Sequence, residues 1–431
     1  MARPTLAIVG TGVAGMGCAH LLQQSHDLTL FEQADYVGGH TNTIDVDEGD
    51  RRVAFDTGFM VFNRVTYPRL VRLFEELNVP VKPTDMSFSV QHVPSGLEYS
   101  GSSLSHLFAQ RRNLFRPCHY RLLWQVRRFN AEAVAALSDP RWSGVSIGDY
   151  VAQRGYGADF LDLYLVPMSA AVWSTPPDKM LEFPATSLIR FFHNHGFLGL
   201  HTQHPWWTVE GGSREYVRRL VPPFQDRVRL ADPVVAVRRH ASGGAEVRTR
   251  SGWSGSFDRV ILAAHADQTL AMLVDADPEE RRLLGEFKYQ PNEAVVHTDP
   301  REMPRTRMAW AAWNYRMDPL PGGGTRPSTV YWMNRLQGVS DRVDYFVSIN
   351  GGSRVDPGRV VRRIAYEHPL FSLGAIQAQG SLPGLNRRSP GQAVYFCGSY
   401  FRYGFHEDAF SSAVDLAELL TGEKRYPAAA A

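Results

Sequence analysis

Residues 6–22 read LAIVGTGVAGMGCAHLL, with Gly10, Gly12 and Gly15 at G-x-G-x-x-G spacing. Leu6 to Val9 is an apolar run too short for a helix and ended by glycine, the pattern of a buried parallel strand. Val13 to Gln24 carries apolar and small residues at helical spacing, and DLTLF (27–31) alternates into a second strand closed by Glu32. A strand, a glycine turn, a helix, a second strand and an acid about 20 residues on form the layout of a dinucleotide cradle. One glycine allows the tight turn, the next lets backbone approach a diphosphate, and the third lets helix pack on strand. The helix start offers unpaired N–H groups to phosphate. Glu32 is expected to accept hydrogen bonds from a ribose diol, which disfavours a 2′-phosphate. The contacts expected from this unit are Gly10, Gly12, Val13, Ala14, Gly15, Glu32 and Gln33.

Further blocks decide which dinucleotide is expected. EQADYVGGHTNT sets Gly38 and Gly39 shortly after Glu32, followed by His40 and Thr41, and FDTGFMVFN spans 55–63. TVEGGSREYVRRL (208–220) combines a glycine turn with Ser213 placed to cap a helix. The segment from 227 to about 266 reads as short strands with turn signals. AVYFCGSYFRYGFHEDAFSSAVDLAELL (393–420) is a strand, a loop and a helix. In this order the blocks resemble the flavoprotein superfamily of flavin amine oxidases, phytoene desaturases and protoporphyrinogen oxidase. HTDP, AWAAWNY and YGFHED resemble one subgroup, which includes bacterial stand-alone flavoproteins and the flavin region fused ahead of plant cyclopropane-fatty-acid synthases.

The resemblance implies an α/β fold: a Rossmann-like FAD-binding domain (1–65, 205–285, 390–424) with an interleaved α+β substrate domain (66–204, 286–389). It implies non-covalent FAD contacted also by Gly38, Gly39, His40, Thr41, Thr57, Gly58 and Phe59. It adds Val234 or Val235 at adenine, and Gly398, Ser399, Glu407, Asp408 and Ala409 at the start of a closing helix. His40 stands where the family usually has arginine, Ser399 where it often has an acid, and Asp408 where it has a small residue. Phe405 takes the place of one of the two rings that flank an amine in amine oxidases; no second ring is evident. Lys288 is the nearest counterpart by order of the family's flavin-contacting lysine. Asp56-Thr57-Gly58 is expected to turn the chain near the flavin.

At the reacting face the expected residues are His406, Phe405 and Tyr403, with Tyr400, Trp313 and Tyr315 as further pocket aromatics; nine tryptophans and 11% aromatic content fit an apolar pocket. A proton donor or acceptor is sought among His193, His297 and His406. His193, His195, His201 and His204 fall close together, but with no cysteine or carboxylate joining them no metal is expected. PLPGGGTRPS (319–328) reads as a loop and not a second cradle, since no strand is seen before it or helix after it. With a single dinucleotide site, the flavin is expected to be reduced by the substrate itself. The reading is thus an FAD-dependent oxidoreductase of oxidase or desaturase type. It acts on an apolar substrate, a (phospho)lipid acyl chain by subgroup analogy, by hydride transfer to flavin N5 or flavin-assisted isomerisation. The alternatives are an oxidase of a hydrophobic amine and a non-catalytic flavoprotein partner of a lipid-modifying methyltransferase.

Composition excludes other classes. Forty-six basic against 44 acidic residues give a net charge of +2, with nothing to favour nucleic acid. Cys18, Cys118 and Cys397 are far apart in sequence, which suits buried thiols in a reducing, cytoplasmic setting. The first strand starts too near Met1 for a signal peptide, and no apolar run reaches spanning length. Residues 99–131 contain no Asp or Glu. Arg111, Arg112, Arg116, Arg121, Arg127 and Arg128 alternate there with aromatic and aliphatic residues, partly as amphipathic helix. That composition suits peripheral contact with an anionic membrane or a lipid-linked substrate.

Overall fold

The computed structural model describes residues 2–199, 202–322, 324–388 and 392–426. Its centre is a five-stranded parallel sheet in the order 228–229, 27–31, 5–9, 259–262, 394–396. Leu6, Ala7 and Ile8 are completely buried, as a strand covered on both faces requires. The sheet closes only after two long excursions, because its last strand, Val394–Phe396, pairs with Arg259–Leu262. The first helix, Val13–Leu22, is buried along nearly its whole length. The closing helix, His406–Thr421, lies against it, and a Cβ on Gly17 would stand 2.9 Å from the Phe410 ring. Glycine there sets the distance between the helices. An antiparallel meander, Val234–Arg239, Ala245–Thr249 and Ser254–Phe257, flanks the sheet.

The second layer is a seven-stranded mixed sheet in the order 360–370, 288–297, 346–349, 325–332, 313–319, 88–92, 97–100. Helices between Leu104 and Asn194 pack beside it. One buried cluster runs from Phe31 and Val234 through Trp173 and Phe191 to Trp313 and Tyr400, so the two sheets and the helical segment share a core. The architecture is α/β, a Rossmann-like parallel sheet with an interleaved α+β portion.

Several local expectations are corrected. The 319–328 segment is the tip of a hairpin: Trp313–Pro319 pairs antiparallel with Thr325–Trp332. A strand does precede it, and the absence of a following phosphate-binding helix is what denies it a cradle role; Gly323 lies outside the described residues. Ser213 does not cap its helix. Its N–H and hydroxyl instead bond to Asp56 (2.9 and 2.6 Å), which also accepts from Thr43 Oγ1 and Gln337 Nε2. Cys118 is exposed, while Cys18 and Cys397 bring their sulfurs within 3.7 Å as buried thiols. The terminal alanines from 427 lie outside the described residues.

Candidate active site

The glycine turn is built by close backbone approach. Gly10 has φ of +100°, and a Cβ on it would meet the Ala263 carbonyl at 2.8 Å. A Cβ on Gly15 would stand 1.9 Å from the Gly10 carbonyl oxygen. No side chain fits at either place. Gly12 differs: a Cβ there meets nothing, because the position opens into a cavity of about 970 Å³. Glu32 clasps the turn, accepting from Thr11 N and Oγ1 (3.0 and 2.6 Å) on one carboxylate oxygen and from Ala34 N (2.9 Å) on the other. Three of about four acceptor positions are used, so one remains for an incoming hydroxyl.

The second glycine pair lies over the first, and a Cβ on Gly39 would stand 3.2 Å from the Gly12 Cα. It carries His40 into a set of imidazoles. The ring centroids of His265 and His368 lie 6.1 and 5.5 Å from that of His40, and Tyr366 stacks on it at 5.0 Å. Burial, reinforced by the neighbouring imidazoles, holds His40 well below the usual histidine range. His368 is lowered to about 4, again chiefly by burial. The cluster is therefore neutral near pH 7. His40 Nε2 and His265 Nδ1 are buried with no hydrogen-bond partner, as are Tyr400 Oη and Trp206 Nε1.

The start of the closing helix completes this end of the cavity. His406 stacks on Phe59 at 3.9 Å and shares a hydrogen bond with Thr41 Oγ1 at 3.1 Å. Burial lowers it to about 3, so it stands as a neutral, tethered ring and not as an acid. Of the residues singled out in sequence, Gly10, Gly12, Val13, Ala14, Glu32 and Gln33 line the cavity. Gly38, Gly39, His40, Gly58 and Phe59 line it as well, and so do Val234, Val235, Gly398, Ser399 and Ala409. Phe405, His406, Tyr400 and Trp313 do the same.

The others do not line the cavity. Gly15 faces Gly10. Thr41 bonds to Tyr216 and His406. Thr57 shares a hydrogen bond with Tyr366 (2.7 Å). Glu407 turns away: its carboxylate accepts from Arg69 N and Leu70 N (3.1 and 2.9 Å), capping the helix Pro68–Glu76. Asp408 accepts from Phe405 N (3.0 Å) and ties down its own helix start. Tyr403 offers its carbonyl to Trp173 Nε1 (3.0 Å) and is absent from the lining. Lys288 is exposed and does not line the cavity. His297 is buried in the second sheet on Ser348 (2.7 Å), and Tyr315 is buried without reaching the cavity. His193 is exposed and His204 bonds to the Asn194 carbonyl. His201 lies outside the described residues, among which no group of His, Cys, Asp and Glu can hold a metal.

Sequence reasoning missed the far wall. Trp173, Phe191, His195 and Phe197 come from the helical segment, and Met86 and Tyr331 from the second sheet. Phe405 stacks against Phe191 with centroids 5.3 Å apart and lies 6.0 Å from Trp173. His195 is held by the Phe191 carbonyl (2.9 Å) and Thr66 (3.2 Å), and burial lowers it to about 4. Apart from His195, which lies in the histidine cluster considered above for a metal, none of these residues sits in a spaced motif; only the Trp206-Trp207 pair and AWAAWNY hint at aromatic lining.

A parallel sheet, a glycine turn open at Gly12, an acid above it and an aromatic chamber beyond define a dinucleotide-dependent enzyme with a mostly apolar reaction space. The residues fit a flavin nucleotide: the open cradle and the orphaned buried polar atoms both call for a polar ligand. The sequence profile of the flavin containing amine oxidoreductases matches residues 13–337, and the chain belongs to that family. It is a flavin-dependent oxidoreductase. Three solved structures share the fold: putrescine oxidase bound to putrescine (TM-score 0.68, 15% identity, 98% of this chain and 99% of that one); a CLA-producing fatty acid isomerase from P. acnes (0.68, 15%, 97% and 99%); and cyclohexylamine oxidase from Brevibacterium oxydans IH-35A (0.67, 14%, 97% and 99%). No curated protein sequence is significantly similar to this chain.

Proposed function

We propose that the protein binds FAD without a covalent bond and acts on the acyl chain of a lipid, by removing hydride from a C–H bond or by shifting a double bond. The carrying observation is the chemistry of the far wall. Trp173, Phe191, Phe197, Trp206, Trp313 and Phe405 line it, and its imidazole, His195, is neutral. The carboxylates among the lining residues, Glu32 and Glu367, belong to the glycine-turn and histidine region, and no lysine lines the cavity. A wall without fixed charge suits an alkyl chain and gives an ammonium group no counter-ion. No cysteine lines the cavity, which supports a cofactor held by shape and hydrogen bonds.

Bound FAD would supply the hydride acceptor at N5. The chain's own tasks are to hold and to exclude. Gly12, Glu32, Gly39 and His40 would hold the nucleotide. Phe405 and Phe191 would align the substrate, and the aromatic wall would keep water from the reacting carbon. His195, held at Nδ1 by the Phe191 carbonyl and at Nε2 by the Thr66 hydroxyl, would stand as a neutral, fixed ring in the wall beside the substrate.

The fold relative that produces CLA is a fatty acid isomerase, and the amine oxidases keep a hydrophobic amine as the second reading. The purified flavoprotein is mixed anaerobically with a linoleoyl phospholipid and, separately, with cyclohexylamine. The flavin band is followed together with conjugated-diene absorbance, and peroxide is measured after air is admitted to reoxidise the flavin. Bleaching or diene formation with the lipid alone is expected. Bleaching and peroxide with the amine, and no change in lipid composition, would overturn the lipid reading.

A further inference from the structure

Phe115 is 85% exposed, Leu104 73% and Trp124 61%, the most exposed large apolar side chains described. Leu114 and Tyr120 join them. They are not scattered. Phe115 ends a short 3-10 turn, Arg111–Phe115, and Pro117 opens the helix Pro117–Glu132 two residues later. On that helix Leu122, Gln125 and Phe129 face the core. Tyr120, Trp124 and Arg127 follow each other at spacings of four and three, so they share the opposite side. Met308, also exposed, extends the patch from a distant segment, with its sulfur 3.4 Å from Arg111 Nη2.

The charge on this surface is predominantly positive. Residues 99–131 contain six arginines and no acid. Arg111 bonds to the Phe108 carbonyl and the Ser105 hydroxyl, and Arg112 to the Gly96 carbonyl, so both are steered by neutral oxygens that leave their charge uncompensated. Arg121 and Arg128 do find acids, Asp159 and Glu132.

We propose that this face, from Leu104 to Arg127 with Met308, docks on the surface of an anionic phospholipid bilayer. Guanidinium groups match lipid phosphates in pairs of hydrogen bonds, and Trp and Tyr rings with a polar tip suit the headgroup level. Phe115 and Leu104 stand outward and would enter the acyl boundary, as in an interfacial amphipathic helix. A second copy of the chain is the poorer occupant, because a twofold contact sets arginine against arginine. No helix among the described residues is long and apolar enough to cross a membrane, so contact through this face is peripheral. The surface stands independently of the substrate assigned above.

The test uses the full-length flavoprotein with vesicles of phosphatidylcholine containing about a third phosphatidylglycerol, and with pure phosphatidylcholine, in flotation. Binding to the anionic vesicles at low salt is expected, weaker by about tenfold or more on pure phosphatidylcholine or in high salt. The exposed pair Phe115→Ala with Trp124→Ala, and separately the triple Arg111→Ala, Arg116→Ala, Arg127→Ala, should each cut binding by about fivefold or more while far-UV dichroism and flavin content are unchanged. In the wild type, brominated lipid should quench fluorescence that Trp124→Phe removes. No flotation with anionic vesicles at low salt, equal flotation of the variants, or a concentration-dependent dimer that Phe115→Ala dissolves without vesicle binding would each overturn the proposal.

Discussion

At the glycine-turn end of the cavity the inward-facing groups are mostly backbone: Gly10, Gly12, Gly38 and Gly39 bring main chain to the surface, and Glu32 clasps them through Thr11 and Ala34. At the far end they are side chains from five separate elements, with Trp173 and Phe191 from two helices, Trp206 and Trp313 from two strands and Phe405 from the closing loop. Backbone recognition demands a small residue at a fixed place, because a Cβ would collide or intrude. Side-chain recognition demands only volume and polarity, which many residues supply. The first end leaves a pattern in sequence and the second does not. The two should also respond differently to substitution.

The largest effect separates two glycines three residues apart. Gly15→Val places its Cβ inside contact distance of the Gly10 carbonyl, and the first helix must move off its strand. We expect loss of roughly 3 kcal/mol of stability together with all flavin, from the cost of forced overpacking. Gly12→Val enters open space at an ordinary backbone angle of −63°. It should leave the melting temperature of the apoprotein near that of the wild type and still abolish the 450 nm band. Thermal melts and flavin content of both variants check the pair; flavin retained by Gly12→Val would mean that the cradle lies elsewhere.

The fold class and the glycine-turn end were readable because steric rules act at short range: turn, helix packing and the acid after the second strand all fall within the first 32 residues. Residues behind the surface were harder. Glu407 and Asp408 sit in the block that resembles a cofactor motif, yet their carboxylates cap helix starts. Helix N-termini attract any anion, a side chain as well as a phosphate, and sequence does not reveal which N-terminus a carboxylate will reach. The far wall was less legible still, since Trp173 and Phe405 are 232 positions apart and meet only through tertiary packing.

A middling effect tests that wall. Trp173 holds the closing loop by donating to the Tyr403 carbonyl. Trp173→Phe keeps a ring but leaves a carbonyl without its donor, a cost of about 1–3 kcal/mol. We expect flavin content to stay full, whereas turnover of the acyl substrate proposed above falls by about tenfold, the equivalent of 1.4 kcal/mol in the barrier. Loss of flavin in this variant would erase the distinction between the two ends.

The smallest effect is a slope. His195, His297 and His368 are lowered to about 4 and His406 to about 3, all mainly by burial. Unfolded histidine takes up a proton near pH 6.5 and these folded ones do not, so acidification from about 6.5 towards 4 favours unfolding. Glu407 and Asp408 act in the opposite direction: burial raises them to about 7 and about 6. Between those values and the ordinary carboxyl range the folded chain holds protons that the unfolded chain has released, which stabilises it as pH falls. These imidazoles, joined by His40 and His265, which burial also lowers, outweigh the two carboxyls, so the apoprotein should lose stability below about pH 6.5, less steeply than its histidines alone would require. Glu407→Gln removes one opposing group while its amide oxygen can still accept from the N–H donors of Arg69 and Leu70. Melting curves from pH 7.5 to 5 should show a steeper fall for the variant, and parallel curves would place the Glu407 carboxyl in its ordinary range.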